Sequence, residues 1–166
     1  PNVIGAIAIA AASAALATHR DVIAAHEETL AEQLRAGLAA IDAVTTYSIF
    51  GPEHDRVGVA TFTIDGLDSS LVSAVLSAEY GIGVRDGRFC AHQLVEDLLD
   101  DPCRDDSAQT AVRVSLGLAN NQGHVARLLG ALATLADEGP AFEYELTSAG
   151  WVALNDPRDL SLPRPW

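Results

Sequence analysis

The stretch that decides the fold is Gly81-Ile-Gly-Val-Arg85-Asp-Gly87-Arg-Phe-Cys90-Ala-His92. Its apolar start, Ile82 to Val84, predicts a short strand. Gly87 predicts a tight turn, because glycine adopts positive φ without steric cost. A helical pattern of apolar residues begins directly after the cysteine, at Ala91, Leu94, Val95, Leu98 and Leu99. The sequence therefore predicts a strand, a glycine turn and a helix, with Cys90 where the helix begins.

Two interpretations of Cys90 follow from this position. A thiol at a helix start lies near the positive end of the helix dipole, and Arg85 and Arg88 are close in sequence. We therefore expect the thiolate form to be favoured, as in a nucleophile. The other interpretation is a buried cysteine at the start of a core helix, since free cysteines often behave as small hydrophobes. The residues alone leave both open.

Composition limits the class of protein. The chain has 166 residues, of which 49% are hydrophobic and 20% charged, as expected for one globular domain. A net charge of −13 argues against a surface that follows nucleic-acid phosphates. Arginine supplies all ten basic side chains, and lysine is absent. Two cysteines, Cys90 and Cys103, form neither a disulfide framework nor a zinc-ligand set, so we predict a reducing, cytoplasmic setting and no metal.

The N-terminal segment, residues 3–17, consists of apolar and small residues. It is shorter than the roughly 20 residues that span a bilayer, and it lacks the basic region of a signal peptide. It therefore predicts a buried helix packed on several sides rather than a membrane segment. The rest of the sequence offers too little surface to cover it. We expect a piece of a longer polypeptide that packs against a missing partner domain.

The predicted order of elements is helix, helix, strand, strand, helix, strand, short helix, strand, helix. This order predicts an α/β (α+β) two-layer sandwich with a mainly antiparallel sheet and helices on one face. We predict a single domain made of a helical connector (1–42), an α/β core (43–139) and an extended tail with one short strand (140–166).

Arg113 is the second candidate site residue. In the predicted strand 110–116, Val112 and Val114 point to one side and Arg113 to the other. A charge in mid-strand is costly unless it is paired or lines a cavity, and a guanidinium matches the geometry of a carboxylate. The alternative is an arginine on a solvent-facing side of the sheet.

Other polar residues give weaker signals. The acidic stretch 97–106 lacks the glycine and the closing glutamate of an EF-hand loop, so we predict a solvated loop rather than a calcium site. His26 and His124 are expected to have surface or packing roles. The same holds for His92, although it is close enough to Cys90 to act as its proton partner.

Five segments, taken together and in order, resemble class V aminotransferase-fold enzymes, and the cysteine desulfurase and selenocysteine lyase group most closely. They are Pro1-Asn2 with the helix that follows, His26-Glu27 with Leu30 and Leu34, Arg56 to Phe62, Gly81 to Ala91, and Val112 to Gly117. The resemblance covers about residues 1–137. It implies the small C-terminal domain of a pyridoxal-phosphate enzyme of fold type I, typically a homodimer.

The resemblance also implies roles for individual residues. Cys90 matches the cysteine that accepts sulfur as a persulfide, and Arg113 the arginine that binds the α-carboxylate of the amino-acid substrate. Arg85 borders the same pocket, Arg85 and His92 are expected to take part in substrate binding, and Asn2 is the one residue expected at the cofactor. Because the chain has no lysine for the Schiff base, the N-terminal large domain is expected to bind most of the pyridoxal phosphate. This chain alone is then expected to be inactive.

The sequence departs from the family around the cysteine. Arg88-Phe89 stand where small or histidine residues are usual, His92-Gln93 follow Ala91 without the usual proline, and the tail after Pro140 has no counterpart. Our interpretation is a cysteine desulfurase or C–S lyase acting on a sulfur or selenium amino acid. The alternatives are a class V aminotransferase without thiol chemistry, or a cofactor-free ligand-binding or assembly module.

Overall fold

A computed structural model describes residues 2–51, 54, 57–100 and 109–158 of the chain. The helices are α1 Val3–Thr18, α2 Arg20–Ala39, α3 Ser69–Tyr80, α4 His92–Leu99 and α5 Gln122–Glu138. The strands are β1 Val44–Tyr47, β2 Val59–Ile64, β3 Arg85–Gly87, β4 Ala111–Ser115, β5 Tyr144–Thr147 and β6 Gly150–Ala153. Up to α5 this is the predicted order.

The main sheet has the strand order β1-β2-β4-β3, and each neighbouring pair is antiparallel. Helices α2, α3 and α5 cover one face, because their apolar stripes meet the inward residues of the strands. The buried side chains that form this core include Leu30, Leu34, Leu38, Phe62, Ile64, Val72, Val75, Leu76, Val112, Val114, Val125, Leu128, Leu132 and Leu135. The predicted two-layer class is confirmed.

The short helix α4 packs against the opposite face of the sheet. Its buried residues Val95 and Leu99 contact Ala111, together with the half-buried Tyr47 and Phe89. Ala111 and Val112 are neighbours in β4 and so point to opposite faces. Helices α2, α3 and α5 therefore lie on one face, as predicted, whereas α4 covers part of the opposite face, beside the turn that contains Cys90.

The strand predicted over residues 82–84 begins later, at Arg85. Residues 81–84 instead line an open cavity of ≈290 Å³ that they share with residues 114–116 and with His124 on α5. Ile82 and Val84 still pack against the main core, so their apolar character reflects burial rather than pairing in the sheet.

Helix α1 has no buried residue within the described chain, although its composition predicts a buried helix. No single helix in the described ranges is long and apolar enough to cross a membrane. Within the same ranges, α1 and α2 taken together have the length and apolar composition of a broken span, with a bend of 73° at their junction.

The segment after Gly139 forms a hairpin of β5 and β6 rather than one strand and an extended tail. The Glu79 carboxylate on α3 accepts hydrogen bonds from the backbone N–H groups of Ala141 and Phe142 and from the Tyr144 hydroxyl, at 3.0–3.1 Å. Burial and the neighbouring Glu79 carboxylate raise the pKa of Tyr144 well above its usual range. One carboxylate thus fixes the base of the hairpin to the core.

Residues 159–166 of the predicted tail lie outside the described ranges. The predicted division of the domain at residues 42 and 139 stays a prediction.

Replacing Glu79 with Ala should loosen this hairpin, because it removes one acceptor shared by three donors. Losing hydrogen bonds to a charged group costs about 1–3 kcal/mol. We expect amide hydrogen exchange over residues 141–153 to become roughly 5- to 150-fold faster, with little change in the sheet. Glu28→Ala, at an exposed position of α2, is the matched control. Unchanged exchange in the Glu79 variant would contradict this account.

Candidate active site

Two arginines lie side by side on the face of the sheet that α4 partly covers. Arg85 of β3 and Arg113 of β4 are direct antiparallel partners, so their side chains point to the same face. Like charges in directly opposed positions destabilise a sheet, and the chain as a whole carries a net charge of −13. A local pair of cations of this kind has the chemistry to bind an anion.

Cys90 lies beside this pair, in the turn between β3 and α4. Its side chain is exposed, and Arg85 Nη2 is 3.7 Å from the Cys90 sulfur. The interpretation of Cys90 as a buried core residue is therefore wrong. Arg85 therefore links the thiol to Arg113, because it contacts the sulfur and is the direct sheet partner of Arg113. That Cys90 and Arg113 share one substrate site stays a prediction.

The turn that presents Cys90 has an unusual backbone. Gly87 has a φ of 98°, as expected from the sequence, but Phe89 and Cys90 also have positive φ, at 54° and 60°. Left-handed residues other than glycine are uncommon and cost about 1–2 kcal/mol each. Such strain persists only where surrounding contacts impose it, and these positions cluster at functional sites.

Two sets of contacts hold the turn in this conformation. Arg88 donates from Nε to the Gln109 carbonyl at 3.2 Å and from Nη2 to Oε1 of the same residue at 3.1 Å. The Phe89 ring packs with Val95, Leu99 and Ala111 on one side. Arg88 and Phe89 depart from the expected pattern, and their contacts with Gln109, β4 and α4 explain how this chain keeps the strained turn in place.

Arg113 has a buried donor with no partner among the residues that the structure describes. Its Nε is shielded from solvent, and no acceptor within the described ranges bonds to it. Its Cζ lies 5.3 Å from the centre of the Phe89 ring. The interpretation of Arg113 as a merely solvent-facing arginine does not fit a half-buried residue whose guanidinium lies over the Phe89 ring.

The structure separates the remaining candidates. His92 is exposed at the first position of α4, two residues after Cys90, and Asn2 caps α1 through a 2.9 Å hydrogen bond from the Gly5 N–H. This capping bond gives Asn2 a structural role. His26 bonds to the Asn120 carbonyl at 2.9 Å, as expected of a packing histidine. Residues 101–108 of the acidic stretch lie outside the described ranges.

The residues of this chain do not fit a complete pyridoxal-phosphate site. No lysine exists anywhere in the sequence to bind the aldehyde covalently. Across the described residues, no group of three or more His, Cys, Asp or Glu side chains is placed to hold a metal ion. What the site offers is a pair of guanidinium groups for an anion and an exposed thiol beside them.

Replacing Arg85 with Gln tests the charge repulsion in this pair. Removing one of two opposed like charges should raise the free energy of unfolding by about 0.2–1 kcal/mol. Urea denaturation measures it, with Arg35→Gln on the exposed side of α2 as the control. A loss of stability specific to the Arg85 variant would show that the pair is held by contacts that outweigh its repulsion.

Comparison with known proteins gives a consistent match. The Aminotransferase class-V family model matches residues 1–128. The chain is similar to the probable cysteine desulfurases of Pseudomonas aeruginosa, at 36% identity over 133 residues, and of Halobacterium salinarum, at 33% over 112 residues. These matches cover 80% and 68% of this chain, and 30% and 24% of the two relatives.

Solved structures agree with this match. The structure of the cysteine desulfurase CsdA (S-sulfonic acid) from Escherichia coli superposes with a TM-score of 0.61 at 25% identity, over 80% of this chain and 30% of that one. The apo cysteine desulfurase from Thermococcus onnurineus NA1 gives a TM-score of 0.55 at 26% identity, over 67% of this chain and 25% of the other. The chain thus spans less than a third of the length of these proteins.

Proposed function

Because this chain belongs to the class V aminotransferase family, we propose that it forms the substrate-carboxylate and sulfur-acceptor part of a pyridoxal-phosphate enzyme of the cysteine desulfurase type. In this proposal Arg113 binds the carboxylate of a sulfur or selenium amino acid, and Cys90 accepts the sulfur. The observation that supports it is the position of Arg85, which pairs with Arg113 in the sheet and contacts the Cys90 sulfur.

The chemistry suits these residue types. A guanidinium binds a carboxylate through two parallel hydrogen bonds, which fix the orientation of the amino acid as well as its position. A thiolate is a soft nucleophile, and the Arg85 guanidinium 3.7 Å from the sulfur places a positive charge where that negative charge develops. The exposure of Cys90 leaves the sulfur open to a substrate.

The proposed sulfur transfer balances without an external oxidant. The Cys90 thiol and a substrate thiol react to give a persulfide on Cys90 and a substrate carbon that carries hydrogen in place of sulfur. The new S–S bond forms as the C–S bond breaks, and the electron pair of the C–S bond stays on carbon, which takes up a proton. Carbon is reduced by two electrons, and the two sulfur atoms together are oxidised by two.

The rest of the enzyme lies outside this chain. We propose that pyridoxal phosphate is bound mainly by a larger N-terminal domain that contains the lysine this sequence lacks, and that this chain is inactive alone. The proposal also includes a homodimer in the cytoplasm, and its support is the family resemblance and the small number of cysteines. The short coverage of each relative supports the need for a further domain.

The test supplies L-cysteine and a reductant to the full-length protein and measures two products. We expect equal amounts of sulfide and alanine, because each turnover removes one sulfur and leaves one alanine. Exchange of the amino group with a keto acid, without sulfide, would instead indicate an aminotransferase. The absence of both reactions, together with no visible absorbance from bound pyridoxal phosphate, would indicate a cofactor-free module.

A further inference from the structure

The Phe89 ring lies against the guanidinium that the proposed function assigns to the substrate. Arg113 Cζ is 5.3 Å from the ring centre, within the range in which a cation is attracted to the face of an aromatic ring. Phe89 also packs against the buried cluster of Val95, Leu99 and Ala111. The ring is thus anchored on α4 and β4.

Phe89 is also connected to Cys90 through a constrained backbone. Both residues have left-handed φ, a conformation that neither prefers, so the position of the ring and the direction of the thiol are set together. Arg88 holds the same turn from the other end through its two hydrogen bonds to Gln109. A change in the backbone of this turn would therefore move the ring and the cysteine together.

We propose that Phe89 is a positioning residue that orients the Arg113 guanidinium for a substrate carboxylate and aligns it with Cys90. The Arg113 Cζ lies over the Phe89 ring and Nε is buried, so an incoming carboxylate meets the guanidinium at its remaining N–H groups. This restricts the approach to an in-plane, two-bond geometry. The proposal rests on the carboxylate-binding role of Arg113 and adds the residue that fixes its geometry.

The test measures the dissociation constant of L-alanine for the full-length holoenzyme by calorimetry. L-Alanine carries the carboxylate but no sulfur, so the measurement does not depend on thiol chemistry. Phe89→Leu keeps an apolar side chain but removes the ring face, and should raise the dissociation constant about 3- to 30-fold. Phe89→Tyr keeps the ring face and should stay within about twofold of the native protein.

Two further variants separate orientation from general packing. Trifluorophenylalanine at position 89 keeps the ring shape but weakens the negative face, and should raise the dissociation constant in the same direction as Leu. Tyr47→Leu removes an aromatic side chain from the same apolar cluster and should leave alanine binding near the native value. The fluorinated variant retains the shape of the native side chain, so it still tests the proposal if Phe89→Leu does not fold.

A failure of the role inferred for Phe89 can be distinguished from a failure of the carboxylate-binding role of Arg113. Arg113→Gln is measured in parallel, and unchanged alanine binding in that variant would overturn both the carboxylate-binding role and this inference. Weakened binding in Arg113→Gln with native binding in both the Leu and the fluorinated variants of Phe89 would overturn this inference alone. An equal loss in Tyr47→Leu would also overturn it, because the effect would then come from packing of the cluster.

Discussion

Replacing Cys90 with Ala in the full-length protein should lower sulfide release from L-cysteine by at least about a thousandfold, because the sulfur loses its acceptor. Alanine retains the β-carbon, so the strained backbone at this position is the same in both proteins. L-Alanine binding should therefore change little, since Arg113 and Phe89 keep their places. Steady-state sulfide assays and calorimetry measure the two effects separately.

Cys103→Ala is the control for this experiment, because it removes the other cysteine of the chain. We expect it to retain sulfide release. If the Cys90 variant kept full turnover, the thiol would have no part in the reaction, and the protein would be a class V enzyme without thiol chemistry. If only the Cys103 variant lost turnover, the site would lie elsewhere.

Replacing Arg113 with Gln should weaken the binding of the amino acid about 30-fold or more, because truncating one partner of a charged, hydrogen-bonded pair costs about 2–5 kcal/mol. We expect the effect mainly in KM when L-cysteine is varied. Arg113→Lys retains the charge but not the planar fork, so it should recover only part of the affinity.

Arg35→Gln removes an equal charge from an exposed part of α2 and should leave KM unchanged. This control accounts for the general loss of positive charge in an acidic protein. A native KM in the Arg113 variant would show that the carboxylate binds elsewhere. An equal increase of KM in both variants would indicate long-range attraction rather than a specific contact.

Local patterns in the sequence predicted much of the fold. The alternation around Val112 and Val114 predicted that Arg113 points away from the core, and the sheet confirms it. The helical stripe that includes Leu30 and Leu34 is likewise buried. These predictions succeed because the period of an apolar pattern depends on the nearest neighbours along the chain.

The details of the site depend on contacts between distant segments. The direct pairing of Arg85 with Arg113 is a register between strands that are far apart in sequence, and no local pattern specifies it. No sequence pattern predicted the positive φ of Phe89 and Cys90 either, because neither residue is a glycine and the turn was predicted from Gly87 alone. In the sequence Phe89 was evident only as a departure from the family pattern, and its position beside Arg113 became visible only in the folded chain.

One residue of the sequence, Gly150, indicates the hairpin after Gly139. Gly150 has a φ of 109°, which closes the turn between β5 and β6 in a conformation that favours glycine.

The apolar stripe of α4 could not predict which face of the sheet the helix covers, because an amphipathic helix fits either face. Its contact with Ala111 resolves that choice.

Peptide mass spectrometry of the full-length protein after brief exposure to L-cysteine tests the shared site of Arg113 and Cys90 most directly. The account predicts that the peptide containing Cys90 gains the mass of one sulfur atom. It also predicts that Arg113→Gln loses this gain at low substrate concentration and recovers it at high concentration. Added sulfur on Cys103 alone, or turnover to sulfide with no added sulfur on Cys90, would contradict the account.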